Sequence, residues 1–268
     1  MLVGMRRGSS RTGVGLVPVL VTGGLVAAAL ALAAAREDGE RSEATVILYG
    51  DSLSMEAGPY FQEEMARTSS ADVVTKPVPG AAPCDVLDTM RADAAAEPAV
   101  VVIQFVGNNA TPCTRTGTGE HRTGQALADQ YAGDVRAAAG IFAGAGTRVV
   151  LVGGPPAPGL PGGADGPIED AYRQIAAEWD TRAAGVVRYA DAAGTVTGPD
   201  RTFVARLPCA ADEGPAEGCD GREVTVRSPD ETHFCPAEGA HLVCPVPSPG
   251  ARRFGNEMAR VAKEALGD

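Results

Sequence analysis

The stretch TVILYGDSLS, residues 45–54, decides the fold class of this 268-residue chain. Its first five residues are apolar, aromatic or β-branched without interruption, which is typical of a strand inside a sheet. Gly50, Asp51 and Ser52 end this run with residues that favour turns and the first turn of a helix. A strand that leads through a tight turn into a helix is the first half of a β-α-β unit, from which parallel sheets are built.

The same alternation of strand and helix continues along the chain. Further β-rich runs occupy residues 71–76, 100–105, 148–153 and 186–191, and helical patterns occupy residues 54–67, 84–95, 123–140, 167–183 and 248–266. These elements predict one α/β domain, residues 45–268, in which a five-stranded parallel sheet carries helices on both faces. Residues 192–247 are weakly patterned and hold four of the six cysteines, which is typical of a functional or disulfide-stapled loop.

The N-terminal segment differs from the rest of the chain. Basic residues in positions 1–11 precede an uncharged stretch at residues 12–35, and a short polar linker follows at residues 36–44. The uncharged stretch is long enough to cross a bilayer as an anchor, with residues 1–11 in the cytoplasm. Small residues near Ala35 also fit cleavage of a signal peptide. Both alternatives, anchoring and secretion, place the domain outside the cytoplasm.

Composition narrows the classes of partner. The chain has 34 acidic and 23 basic residues and a net charge of −11, which disfavours nucleic acid and anionic lipid surfaces. The only membrane contact we expect is therefore through the N-terminal segment. An even set of six cysteines in an exported chain favours disulfides. The sequence has no C-x-x-C pair and its three histidines lack zinc-ligand spacing, so we predict no metal site.

Residues suited to chemistry follow three of the predicted strands. Ser52 follows the first strand, Gly80 the second, and the adjacent Asn108 and Asn109 the third. Ligands of open parallel sheets bind beyond the carboxyl ends of the strands, so these residues are expected to meet at one edge. Each also has a plainer interpretation, because Ser52 could cap the following helix and Gly80 could serve a tight turn.

The sequence Asp230-Glu231-Thr232-His233 lies in the late loop. A carboxylate three residues before a histidine can turn back and accept the Nδ1–H of the ring. Taken alone, His233 is as well explained as a surface or structural residue. Its position after the predicted strands favours a loop that returns to the same edge of the sheet.

In this order, these residues resemble the four blocks of the SGNH, or GDSL-like, hydrolase superfamily. The likeness extends from residue 50 to residue 233, and residues 248–254 resemble the start of the family's last helix. The resemblance implies a three-layer, flavodoxin-like sandwich with strand order 2-1-3-4-5. It also implies a catalytic triad in which Ser52 is the nucleophile, His233 the base and Asp230 its partner.

The resemblance further implies an oxyanion hole. Its donors would be the backbone N–H groups of Ser52 and Gly80 and the side-chain amide of Asn109. One departure is that Ala110 stands where the family frequently has aspartate. This departure leaves Asn108 as an alternative amide donor.

The expected function is a serine esterase or lipase-like hydrolase that cleaves acyl esters through an acyl-enzyme and needs no cofactor. With one Trp and 4% aromatic residues, the chain offers little surface for stacking on sugars, which favours a small-molecule or lipid-like acyl ester. Two alternatives stay open. One is an O-acyltransferase or deacetylase acting on cell-envelope glycans, and the other is a non-catalytic binding domain with the same fold.

The cysteines are predicted to pair in chain order. Cys84 lies four residues after Gly80 and Cys113 four residues after Asn109, so these two cysteines leave neighbouring positions of the site. The remaining four lie in the late loop, where local pairs would order the segment that carries Asp230 and His233. The predicted disulfides are therefore Cys84–Cys113, Cys209–Cys219 and Cys235–Cys244.

Overall fold

The computed structural model of the chain describes residues 44–158, 166–239 and 243–267. Seven strands are present in these ranges: β1 Thr45–Gly50, β2 Asp72–Pro77, β3 Val100–Gln104, β4 Arg148–Val152, β5 Val187–Ala190, β6 Arg206–Pro208 and β7 Glu223–Thr225. The same ranges contain five α-helices: α1 Ser52–Thr68, α2 Leu87–Ala94, α3 Gly124–Gly144, α4 Pro167–Asp180 and α5 Pro249–Leu266.

Strands β1 to β5 form a parallel sheet in the order β2-β1-β3-β4-β5, as predicted. Alternate residues of the central strands face opposite sides, because side chains alternate along a strand. Ile47 and Tyr49 pack with α2, α3 and α4, whereas Val46 and Leu48 pack with α1 and α5. The result is the predicted three-layer α/β sandwich with a core on each side of the sheet.

The predicted elements lie within four residues of those observed, and the largest shift is at the end of α3, which continues to Gly144 instead of ending at residue 140. The start of α2 also differs. The helical pattern was predicted from residue 84, but Pro83–Asp85 form a single 3₁₀ turn and the α-helix begins at Leu87. The Asp85 carboxylate accepts the N–H of Ala82 at 2.8 Å and fixes this turn. Short turns of this kind commonly precede helices.

The late loop contains structure that the pattern analysis did not predict. Strands β6 and β7 form a two-stranded antiparallel sheet, with Leu207 opposite Val224. Each strand has three residues, which is too short for a recognisable alternation.

All three predicted disulfides are present. The Cα atoms are 6.1 Å apart in Cys84–Cys113, 5.9 Å in Cys209–Cys219 and 5.4 Å in Cys235–Cys244. The first joins the segments that follow β2 and β3, and the other two lie within the late loop.

The predicted membrane anchor or signal peptide, residues 12–35, lies outside the described residues, as do the predicted cytoplasmic segment and most of the linker. Among the residues that the structure describes, no helix combines the length and apolar character needed to cross a bilayer.

Candidate active site

Ser52 is the first residue of α1 and follows the carboxyl end of β1, which lies between β2 and β3 in the sheet. The cap of this helix is Asp51, whose carboxylate accepts the N–H of Leu53 at 3.0 Å. Gly50 allows the sharp turn, because a Cβ there would lie 2.6 Å from the carbonyl oxygen of Gln104. Since Asp51 caps the helix, the hydroxyl of Ser52 is not needed for that purpose.

Asp51 also ties this turn to the segment after β3. The carboxylate is fully buried and accepts the N–H of Val106 at 2.9 Å and the side-chain amide of Asn108 at 3.3 Å. Burial raises the pKa of Asp51 to about 6, although the N–H groups of Val106 and Leu53 oppose the shift.

The late loop places the His233 ring within hydrogen-bonding distance of the Ser52 hydroxyl. The Nε2 atom of His233 lies 2.9 Å from Oγ of Ser52, and its Nδ1 atom lies 2.7 Å from Oδ2 of Asp230. An ionised carboxylate only accepts hydrogen bonds, so this contact selects the tautomer in which Nδ1 carries the proton and Nε2 is free to accept. The serine hydroxyl can therefore donate to the ring.

The conformation of this loop fixes the carboxylate beside the ring. Oδ1 of Asp230 accepts the backbone N–H groups of Thr232 and His233, each at 2.9 Å. Glu231, the residue after Asp230, has a left-handed φ of 61°. Partial burial opposes ionisation, but the N–H groups of His233 and Thr232 and the His233 ring hold the pKa of Asp230 well below its usual range.

Gly80 lies in the turn after β2. The N–H of Ala81 donates to the carbonyl of Val78 at 3.1 Å, which places Pro79 second and Gly80 third in a β-turn. The third position has a φ of +74°, a conformation that favours glycine. The turn thus uses the N–H of Ala81 and leaves that of Gly80 for another acceptor.

Asn108, and not Asn109, is among the described residues that line the same cavity as Ser52. The Asn108 amide donates to Asp51 and, at 3.2 Å, to the carbonyl oxygen of Ala81, and the residue lines the same cavity as Ser52 and Gly80. The Asn109 amide instead donates to the carbonyl oxygen of Arg122 at 3.1 Å. Of the two candidate amide donors named from the sequence, Asn109 and the alternative Asn108, only Asn108 is among the described lining residues of this cavity.

These residues surround an open cavity of about 390 Å³. Its lining consists of Ser52, Met55, Glu56, Pro79, Gly80, Asn108, Ser228, Asp230, His233, Cys235 and Gly239. No lysine or arginine is among these described lining residues, and the wall combines apolar groups with two carboxylates. The His233 side chain is 34% exposed, so solvent and a ligand can reach it.

Sequence reasoning missed two buried charged residues close to the site. Glu56 accepts backbone N–H groups from Phe234 and Cys235, directly after His233. Arg227 is 2% exposed and donates to the carbonyl of Pro156 at 2.8 Å. The position of Glu56 four residues after Ser52 was the available signal, since it places both residues on one side of the helix.

Burial shifts the pKa values of both residues. It lowers the pKa of Arg227 to about 10, against the attraction of Asp230 and Glu56. It raises the pKa of Glu56, although the N–H of Phe234 opposes the shift. Neither residue belongs to a recognisable motif, which is why the sequence did not single them out.

Potential metal ligands also meet outside the cavity, at Cys84, Asp85 and Cys113. The two sulfur atoms are joined in a disulfide and so are not available as thiolate ligands.

No protein-family model and no curated protein matches the sequence. Among solved structures, TesA is 17% identical with a TM-score of 0.48, over 83% of this chain and 99% of that one. The acetyl xylan esterase AlAXEase is 16% identical with a TM-score of 0.49, over 81% and 98%. AlinE4, an SGNH-hydrolase family esterase, is 12% identical with a TM-score of 0.40, over 56% of this chain and 77% of that one.

Proposed function

We propose that this chain is an SGNH-type serine hydrolase that cleaves acyl esters. The observation that carries the proposal is the hydrogen-bonded series from Ser52 through His233 to Asp230, with distances of 2.9 and 2.7 Å, at the wall of an open cavity. A serine hydroxyl is a weak nucleophile until a neighbouring base removes its proton, and this geometry supplies such a base.

In the first half of the reaction, Oγ of Ser52 attacks the carbonyl carbon while Nε2 of His233 takes the hydroxyl proton. Asp230 stabilises the resulting imidazolium and keeps the ring oriented. Collapse of the tetrahedral intermediate breaks the ester bond, and His233 returns the proton to the leaving alcohol. Water, activated by the same ring, then hydrolyses the acyl-enzyme and restores Ser52.

The negative charge of the tetrahedral intermediate needs hydrogen-bond donors. The N–H of Ser52 lies in the first turn of α1, where backbone N–H groups lack partners within the helix. Gly80 and Asn108 line the same cavity. The Asn108 amide donates to Asp51 and to Ala81, so it would exchange one of these two acceptors for the oxyanion. Each such donor is typically worth about 3 to 4 kcal/mol of barrier.

The cavity favours esters that carry no negative charge near the scissile bond. Glu56 and Asp230 contribute carboxylates to the wall, and no basic residue of the described lining would offset an added anion. Met55 and Pro79 offer apolar surface for an acyl group. A small-molecule or lipid-like neutral ester is therefore the proposed substrate class.

We place this activity outside the cytoplasm. The three disulfides support this setting, because such bonds persist mainly in oxidising compartments. The basic residues before an uncharged N-terminal stretch agree with export, by anchoring or by secretion.

Hydrolysis of a graded series of p-nitrophenyl esters tests the proposal. We expect the wild-type protein to release p-nitrophenol and Ser52→Ala to be at least about 10³-fold slower in kcat/KM, because the variant lacks the nucleophile. Matching thermal unfolding curves would establish that the variant is folded. Wild-type turnover by Ser52→Ala would refute the mechanism, and a preference for added sugar acceptors over water would indicate an acyltransferase.

A further inference from the structure

Glu56 lies on the helix that Ser52 begins, one turn further along. Its side chain is buried, with the residue 9% exposed, and forms part of the cavity wall. A buried carboxylate is costly unless its oxygen atoms accept hydrogen bonds. The donors that bind this carboxylate therefore indicate what it holds in place.

Both of its oxygens accept backbone N–H groups from the segment that carries His233. Oε2 accepts the N–H of Phe234 at 2.7 Å, and Oε1 accepts that of Cys235 at 3.3 Å. On the other side, Asp230 accepts the N–H groups of Thr232 and of His233 itself. Two carboxylates thus bind four consecutive N–H groups in a segment without regular secondary structure.

We propose that Glu56 is a positioning residue that holds His233 against Ser52, an inference that rests on the proposed hydrolase function. Helix α1 carries both Ser52 and Glu56, whose carboxylate binds the segment that contains His233. Movement of the helix therefore carries the segment with it, and the 2.9 Å contact between Oγ and Nε2 is preserved. A misplacement of about 1 Å between reacting groups can cost about 100-fold in rate.

The alternative is that Glu56 only stabilises the fold. Glu56→Gln separates the two roles, since it keeps the size of the side chain. A carboxylate accepts at both oxygens, whereas a carboxamide accepts at one and presents an NH₂ group to the second N–H. One of the Phe234 and Cys235 N–H groups then loses its acceptor. Glu63→Gln is the matched control, because Glu63 is an exposed residue of the same helix.

Steady-state kinetics on a p-nitrophenyl ester, well below the unfolding temperature, give the first measurement. We expect Glu56→Gln to lower kcat about 10- to 100-fold with KM changed less than about twofold, because the nucleophile is activated less often while the cavity persists. Glu63→Gln should resemble the wild type. A Glu56→Gln protein that unfolds at lower temperature but retains wild-type kcat would overturn the proposal.

A spectroscopic measurement needs no turnover. The Nδ1–H of His233, bound to Asp230, should give a downfield proton resonance, identified by its loss in Asp230→Asn. We expect this resonance to broaden or vanish in Glu56→Gln, because a mobile segment exposes the proton to exchange with water. An unchanged resonance would contradict the positioning role even if the wild type hydrolysed no ester. Loss of the resonance in a protein without esterase activity would instead refute only the hydrolase function.

Should Glu56→Gln not fold, Glu56→Asp tests whether Glu56 positions His233. The charge remains, but the carboxylate is withdrawn by one methylene and cannot reach both N–H groups at their present distances. We expect a lower kcat than the wild type with a similar KM. Wild-type kcat in Glu56→Asp would overturn the proposal.

Discussion

Asn108 and Asn109 are chemically identical neighbours whose side chains reach different places. Asn108 lies against Asp51 and the cavity, and Asn109 binds the carbonyl of Arg122. The direction each side chain takes depends on the backbone after β3, where Gly107 has a φ of 105°. Spacing in a sequence motif carries no information about such a turn, so the two residues could not be distinguished before the structure was known.

Alanine substitutions should reverse the ranking that the sequence motif implies. We expect Asn108→Ala to lower kcat about 10²- to 10³-fold, because it removes a donor from the proposed oxyanion site. Asn109→Ala should lower kcat less than about 10-fold, since its amide serves a backbone carbonyl away from the cavity. Single-turnover and steady-state kinetics of both variants would check this, and a larger loss in Asn109→Ala would show that Asn108 is not the donor.

At the scale of helices and strands, the sequence predicted the five-stranded sheet because its signals are local. An apolar run such as β3 and a helical pattern such as α3 can each be recognised without tertiary contacts. The two-stranded sheet of β6 and β7 escaped prediction because each strand has only three residues and is recognisable only through its pairing.

The candidate site likewise contains residues that are recognisable from local sequence and others that are defined only by tertiary contacts. Ser52, Gly80, Asp230 and His233 could be predicted because each lies at a strand end or in a recognisable motif, and the structure brings all four to one cavity. Glu56 could not, because its partners are backbone N–H groups far along the chain. Its spacing from Ser52 places both residues on one side of the helix, but nothing in the sequence pairs Glu56 with N–H groups that lie 178 and 179 residues further along the chain.

The Cys84–Cys113 disulfide joins the segments after β2 and β3, which carry Gly80 and Asn108. Replacing both cysteines with serine should cost about 3 to 4 kcal/mol of unfolding free energy in the chain-entropy model. We expect kcat to fall as well, at a temperature where the variant remains folded, because the two proposed oxyanion donors lose their fixed separation. Denaturant unfolding and kcat measured on the same sample would separate the two effects.

The double serine variant of Cys209 and Cys219 is the control for this experiment. These residues are 10 apart in sequence, against 29 for the first pair, so the chain-entropy model predicts a loss of about 3 kcal/mol. Neither residue lines the cavity, and kcat should stay at the wild-type value. Equal values of kcat in both double variants would assign the Cys84–Cys113 bond a purely structural role.

At the scale of the whole molecule, the buried charge of Asp51 links stability to pH. Its pKa is about 6 in the folded protein and near 4 when the chain is unfolded, so the folded state holds this proton more tightly. The contribution of Asp51 to the free energy of unfolding therefore falls as pH rises from about 4 to 6, by about 3 kcal/mol. Asp230 acts in the opposite direction, because its lowered pKa stabilises the fold at higher pH.

Comparison of the wild type with Asp51→Asn isolates this effect, since all other groups are shared. We expect the stability of the wild type relative to the variant to decrease between pH 4 and pH 7 and to level off above. Urea unfolding across this range provides the measurement. A constant difference between wild type and Asp51→Asn would mean that burial does not raise this pKa.

The 181 residues that separate Ser52 from His233 also set the order of events during synthesis. Ribosomes make a chain from its N-terminus at about 5 to 20 residues per second, so the serine exists for roughly 10 to 35 s before the histidine is added. During that interval the nascent chain has neither the proposed base, His233, nor its carboxylate partner, Asp230. The proposed ester hydrolysis therefore cannot begin before His233 has been added to the chain.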